Sequence, residues 1–85
     1  MALPSETEAD EKTVRTLADV EPGFTGQIRD VVGDHSICVH LMETGFTPGQ
    51  PVRLIAASPL GDPLAFALRG TVIALRRREA RCILV

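Results

Sequence analysis

The residues most able to do chemistry cluster in three places. Residues 35–43 bring together His35, Cys38, His40 and Glu43, side-chain types that ligate Zn2+ or Fe2+. On a helix the set does not converge. Cys38 sits about 60° from His35, but His40 is about 140° from His35 and about 160° from Cys38. The feasible pairs are His35 with Cys38 and His40 with Glu43, each needing ligands from elsewhere. A metal site here would hold Fe2+ or another transition metal, and no cofactor is firmly specified. Against this stands the ordinary role of Cys38 as a buried thiol of an apolar face. Cys82, flanked by Ile83, reads as a core or edge residue. A joint Cys38–Cys82 metal or redox pair is open, and nothing in the sequence selects it.

The second cluster is Arg76, Arg77, Arg78 and Arg81, which suit a phosphate or an acidic protein surface; the plain alternative is a solvated helical turn. The third is Pro59-Leu60-Gly61-Asp62-Pro63. Two prolines stiffen this loop, and a stiff loop with Leu60 at its tip loses little entropy on docking. Its plain role is to turn a hairpin, with Asp62 serving turn chemistry. Leu60, Gly61, Asp62 and the four arginines are therefore the candidate partner-binding residues. Catalytic residues are not evident. Ser5, Ser36 and Ser58 are the only serines, none lies in a nucleophile elbow, and no phosphate-binding glycine loop is present. An enzyme is not expected.

The elements that must position these residues are short. At 85 residues the chain is one domain, burying about 60–65% of its unfolded surface. Residues 1–15 are polar, acidic and aperiodic and read as a disordered tail; the domain occupies 16–85. Residues 24–32 read as a strand, with Gly26 marking a bulge or close backbone approach. Asp34 is an N-cap for a helix over 35–44, with Ile37, Cys38 and Leu41 on one face and Gly45 as C-cap. Strands follow at 51–58, with Val52, Leu54 and Ala56 inward, at 64–69, with Leu64, Phe66 and Leu68 inward, and at 71–75. Gly70 permits a tight turn between the last two. Residues 76–80 form a helical turn, and 81–85 a final strand with Cys82 and Leu84 on one face. About five short strands, one inserted α-helix and a short helical turn argue for a small all-β barrel.

Composition limits the partners. Residues 1–21 hold six acids against Lys12 and Arg15, and residues 22–85 hold seven arginines against five acids. Residues 22–85 are thus only mildly basic, and with 3 Phe and no Trp or Tyr the chain has few platforms for bases, so nucleic acid is not an expected partner. The first residues lack an apolar run, so no secretory leader is expected. No stretch approaches the roughly 20 apolar residues of a membrane span. Two cysteines make no disulfide framework. A cytoplasmic protein that meets a membrane only through a partner is expected, with its oligomeric state open.

Gly45-Phe46-Thr47-Pro48-Gly49-Gln50-Pro51-Val52, then Pro59-Leu60-Gly61-Asp62-Pro63, then Ala74-Leu75-Arg76 with Glu79-Ala80 and Ile83-Leu84-Val85 resemble, in that order, segments of the ferrous iron transport protein A (FeoA) domain. Leu17-Ala18-Asp19, Pro22-Gly23 and Gly26 fit as well, so the resemblance spans 16–85. It implies an SH3-like barrel. It also implies an accessory or regulatory role in ferrous iron uptake, docking on the cytosolic GTPase domain of a FeoB-like membrane transporter. The alternatives are a transition-metal-binding protein, or a stand-alone effector domain related to the C-terminal domain of iron-dependent repressors. A helix-turn-helix to supply a DNA-binding half is not expected from the residues ahead of the domain. The helix reads His35-Ser36-Ile37-Cys38-Val39-His40 where the family tends to carry Arg and Leu.

Overall fold

Alternation of apolar residues sets the central strands. In β3 (Pro51–Ala57) Val52 and Leu54 are buried while Arg53 is exposed. In β4 (Leu64–Leu68) Leu64, Phe66 and Leu68 all point into the core, as expected for a half-buried strand of period two. A computed structural model describes residues 15–85; the expected acidic tail lies, but for Arg15, outside the described residues. The remaining elements are β1 (Thr25–Gln27), β2 (Asp30–Val31), α1 (His35–Thr44), β5 (Thr71–Leu75), α2 (Arg77–Ala80) and β6 (Ile83–Leu84).

The strands form two antiparallel sheets, one of four strands in the order β1-β3-β4-β5 and one pairing β2 with β6. This is a small β-rich, SH3-like fold with one inserted helix and one helical turn, as the sequence indicates, with six strands among the described residues where about five are expected. The strand expected over 24–32 is divided. The Ile28 amide donates to Gln50 O at 3.0 Å, beside the four-stranded sheet, and the next amide, Arg29, donates to Leu84 O at 2.7 Å in the other sheet. The chain changes sheets between adjacent residues, which period-two reading cannot show. Gly26, just before this corner, leaves room for its neighbour: a Cβ there would stand 2.7 Å from Phe24 Cζ.

Two further expectations are corrected. Ala56 is exposed rather than inward, because the β3–β4 register shifts by one residue between Leu54 and Ala56; an extra residue in one strand turns the following side chains over. The final strand is only Ile83–Leu84, and Ile83 is its fully buried member; the Cys82 amide is still held by Glu79 O at 3.0 Å in the helical turn.

α1 begins and ends where expected. Asp34 Oδ1 accepts from the Ile37 amide at 3.0 Å, and Gly45, at φ 125°, closes the helix by donating to Leu41 O and Met42 O. Leu41 is its one buried residue, with Ile37 and Cys38 half-buried. β4 and β5 join through Arg69 and Gly70, at φ 56° and 74°. Two consecutive left-handed residues make the type I′ loop whose twist matches a hairpin. The core gathers Leu17, Ile28, Leu41, Leu54, Leu64 and Ile83 around Phe46 and Phe66. These two rings meet edge-to-face, 6.0 Å between centroids and 87° between planes, the arrangement the ring quadrupoles favour.

Candidate functional site

The stiff loop and the arginine turn, distant in sequence, meet in space. The link is Arg77. Its backbone amide donates to Asp62 Oδ1 at 3.0 Å, its Nε donates to Gly61 O at 2.9 Å, and its Nη1 donates to Ala18 O. One side chain thus ties the loop to the first buried segment of the domain. Inside the loop, Ser58 completes the turn: its Oγ accepts from the Asp62 amide at 3.0 Å, and its carbonyl accepts from the Gly61 amide at 2.7 Å. Neither Ser58 nor Ala18 stands out in the sequence. The Ser-Pro step of Ser58-Pro59, a turn-initiating pair, is the available signal for the first; the second is a purely tertiary contact.

Asp62 and the four arginines Arg76, Arg77, Arg78 and Arg81 line an open polar hollow of about 430 Å³. Arg77 is half-buried and committed internally, whereas Arg76, Arg78 and Arg81 are exposed. Among the described residues none of these guanidinium groups lies within 4 Å of a carboxylate. Glu79, the nearest acid in sequence, turns back to accept from the Arg76 amide at 2.9 Å and faces His40 Nε2 at 3.8 Å on its other oxygen. Leu60 stands beside this hollow in sequence and is 94% exposed, the most exposed of the described large apolar residues.

The α1 set stays apart. His35, His40 and Glu43 are exposed, while Cys38 is half-buried. Its thiol donates towards Val31 O at 3.7 Å and Gly33 O at 3.6 Å. His40 meets Glu79 rather than the Glu43 of its own helix. Among the described residues no three His, Cys, Asp or Glu side chains converge on a metal-sized space. A second, apolar hollow of about 460 Å³ crosses the four-stranded sheet between Thr25 and Gly70. Its charged members are Arg53 and Arg69, and no His, Cys, Asp or Glu lines it.

Two groups are shifted from their ordinary ionisation. The Ile37 amide and the Ser36 hydroxyl, both donating to Asp34, hold its carboxyl below the usual aspartate value. Burial, then the neighbouring Cys38, pushes the Cys82 thiol up.

The FeoA domain family matches residues 15–85. The chain belongs to the FeoA family. Among solved structures, the FeoA-like protein from Clostridium acetobutylicum is 30% identical, with 84% of this chain and 83% of that one covered and a TM-score of 0.78. FeoA from Stenotrophomonas maltophilia, in complex with zinc and described as a prokaryotic SH3 domain protein, is 30% identical over 80% of this chain and 85% of its own, with a TM-score of 0.69. A manganese-dependent transcriptional repressor shares the fold, with a TM-score of 0.77 at 19% identity, over 86% of this chain and 41% of its own. No curated protein matches the sequence significantly. This FeoA chain therefore carries a domain associated with ferrous iron transport, on a fold that metal-dependent repressors also use. Among its described residues no helix is long and apolar enough to cross a membrane.

Proposed function

We propose that this FeoA chain is a cytoplasmic accessory of ferrous iron uptake that docks on the cytosolic GTPase domain of a FeoB-like transporter. The docking face is the tip Leu60-Gly61-Asp62 with Arg76, Arg78 and Arg81, and Arg77 is the residue that holds that face in shape. The observation that carries the reading is the joining of the two candidates into one surface. A 94% exposed leucine stands on a loop already fixed by hydrogen bonds. Two residues further along the chain, Asp62 lines a hollow with three exposed arginines that have no acidic partner among the described residues. An exposed apolar tip on a rigid mount, adjoining in the chain a hollow of guanidinium groups, is the composition of a protein-binding patch. Modulation by docking is the mode of action that such a patch supports.

The test is an NMR titration of labelled FeoA with the GTPase domain of a FeoB from the same source. Shifts confined to 59–63 and 76–81 support the reading. Folded protein that shows no shifts at several hundred micromolar partner sinks it.

A further inference from the structure

The four-stranded sheet is open along β5. The order β1-β3-β4-β5 leaves β5 a neighbour on one side only. Which of its backbone groups face outward follows from the hairpin. Leu68 and Thr71 close the two-residue loop of Arg69 and Gly70, so they form a hydrogen-bonded pair, and such pairs recur at every second residue. Phe66 with Ile73 and Leu64 with Leu75 are bonded in the same way, while Val72 and Ala74 stand opposite Ala67 and Ala65 without exchanging bonds. The amides and carbonyls of Val72 and Ala74 therefore point away from the sheet. Among the described residues no backbone hydrogen bond reaches them there.

The side chains of this edge do nothing to keep another strand away. Edge strands are usually blunted by charges, prolines or bulges. Thr71-Val72-Ile73-Ala74-Leu75 has no charge and no proline, and its register against β4 runs without a shift. Val72 is 63% exposed. Ala74 is exposed on the same outer face, where Ala65 and Ala67 of β4 continue an uncharged surface.

The strand is also complementary to itself. A two-fold axis at Ile73 sets Val72 of one chain opposite Ala74 of the other, and Ala74 opposite Val72. These are the residues whose backbone groups face outward, so each pair exchanges two hydrogen bonds. A register shifted by one residue would set outward groups of one strand against inward groups of the other and lose every bond. Ile73 meets its own copy at the unbonded position, where cross-strand side chains come closest, and it is only partly buried within its own chain. On the outer face the larger Val72 lies against the smaller Ala74. Beyond the strand, Arg76 falls opposite Gly70, which has no side chain to obstruct it. An edge of 5 residues covers less than the ~1,200 Å2 of a standard complex, so the pairing is a concentration-dependent association and not an obligate one.

We propose that β5 is a self-association edge: two copies of this chain pair antiparallel about Ile73, through Val72 and Ala74, and join their four-stranded sheets into one. The strand shares no residue with the proposed docking face.

The experiment follows the full-length protein alone over about two decades of concentration, up to about 1 mM. Sedimentation equilibrium is expected to show monomer passing to dimer. Over the same series the Val72 and Ala74 amides are expected to shift and to gain protection from hydrogen exchange. A mixture of isotope-labelled and unlabelled chains is expected to give an intermolecular contact between Ile73 α-protons. Val72→Lys puts a charge on the edge at an exposed position and is expected to stay monomeric while folded. Monomer at every concentration overturns the proposal. So does a dimer whose shifts lie away from β5, or one kept by folded Val72→Lys. Protection of Val72 and Ala74 that appears only when the GTPase domain is added overturns it too, and gives the edge to that partner. The α-proton contact is read on wild-type protein, so the outcome does not depend on the variant folding or on the docking reading.

Discussion

At the residue scale, the decisive side chains are those whose local chemistry is already spoken for. Gly33 is one: an alanine there would keep φ at 125° and bring its Cβ to 2.9 Å from Ile37 Cγ2 and 3.3 Å from Cys82 Sγ. Strain of this kind costs about 1–3 kcal/mol, so Gly33→Ala is expected to lower the urea midpoint by a corresponding amount with an unchanged m-value. Asp34 is the other. Its folded pKa is depressed by the Ile37 amide and then by the Ser36 hydroxyl. Its contribution to stability is therefore present above the ordinary aspartate value and is lost as pH falls through the lower, folded one. Asp34→Ala should be less stable than wild type near neutrality, with the difference shrinking in acid. Urea midpoints of the two proteins from about pH 7 down to about pH 2 check the sign; a difference that grows in acid would contradict it.

At the element scale, the proposed docking face depends on a loop and a single helical turn that are stabilised by each other. Arg77 supplies two side-chain hydrogen bonds, to Gly61 O and Ala18 O, and its truncation leaves both carbonyls to find new partners. Losing such bonds costs about 1–3 kcal/mol. Arg77→Ala is expected to be destabilised on that scale by urea unfolding and also to bind the GTPase domain more weakly. Leu60→Ala separates the two effects. A side chain this exposed changes stability by no more than about 0.5 kcal/mol, while loss of the anchor should weaken docking strongly. A Leu60→Ala protein with wild-type midpoint and wild-type affinity would remove the tip from the interface. The inserted helix α1 shows the opposite economy. Its cap, length and apolar face are all local, and its polar side carries His35, His40 and Glu43 into solvent without gathering them.

At the scale of the whole molecule, charge is distributed so that the domain presents a cationic edge without being basic overall. Three exposed arginines at one hollow against a net charge of −2 for the chain favour an acidic protein surface and give little general attraction to polyanions. Docking of this kind is screened as the Debye length shrinks from about 10 Å at 0.1 M salt to about 3 Å at 1 M. Affinity for the GTPase domain is expected to fall several-fold between these salt concentrations, mostly through the association rate; affinity independent of salt would assign the binding to Leu60 alone. The core itself is small, so its aromatic pair matters. Phe66→Ala removes one partner of the edge-to-face contact and a fully buried ring, a loss of about 3–5 kcal/mol, enough to unfold much of a domain of this size.

The sequence by itself determined whatever rests on near neighbours. The helix over 35–44 follows from Asp34, an apolar face at helical spacing and Gly45. The inward residues of β4 follow from alternation, and the type of fold from the order of turns and their likeness to the FeoA domain. The tertiary structure decided what depends on residues far apart in the chain. The passage from one sheet to the other at Ile28 and Arg29 is set by the separate partners Gln50 and Leu84, and period-two alternation carries no sign of it. The exposure of Ala56 depends on a register shift against β4. The union of Pro59-Leu60-Gly61-Asp62-Pro63 with the arginine turn runs through Arg77, whose residue type gives no hint that it faces inward. Cys38 and Cys82 both come against Gly33 only because β6 pairs with β2 and α1 folds back over that residue. Local hydrogen bonding and periodicity are written along the chain, whereas register and long-range pairing are fixed by packing, which alone brings the groups of a site together.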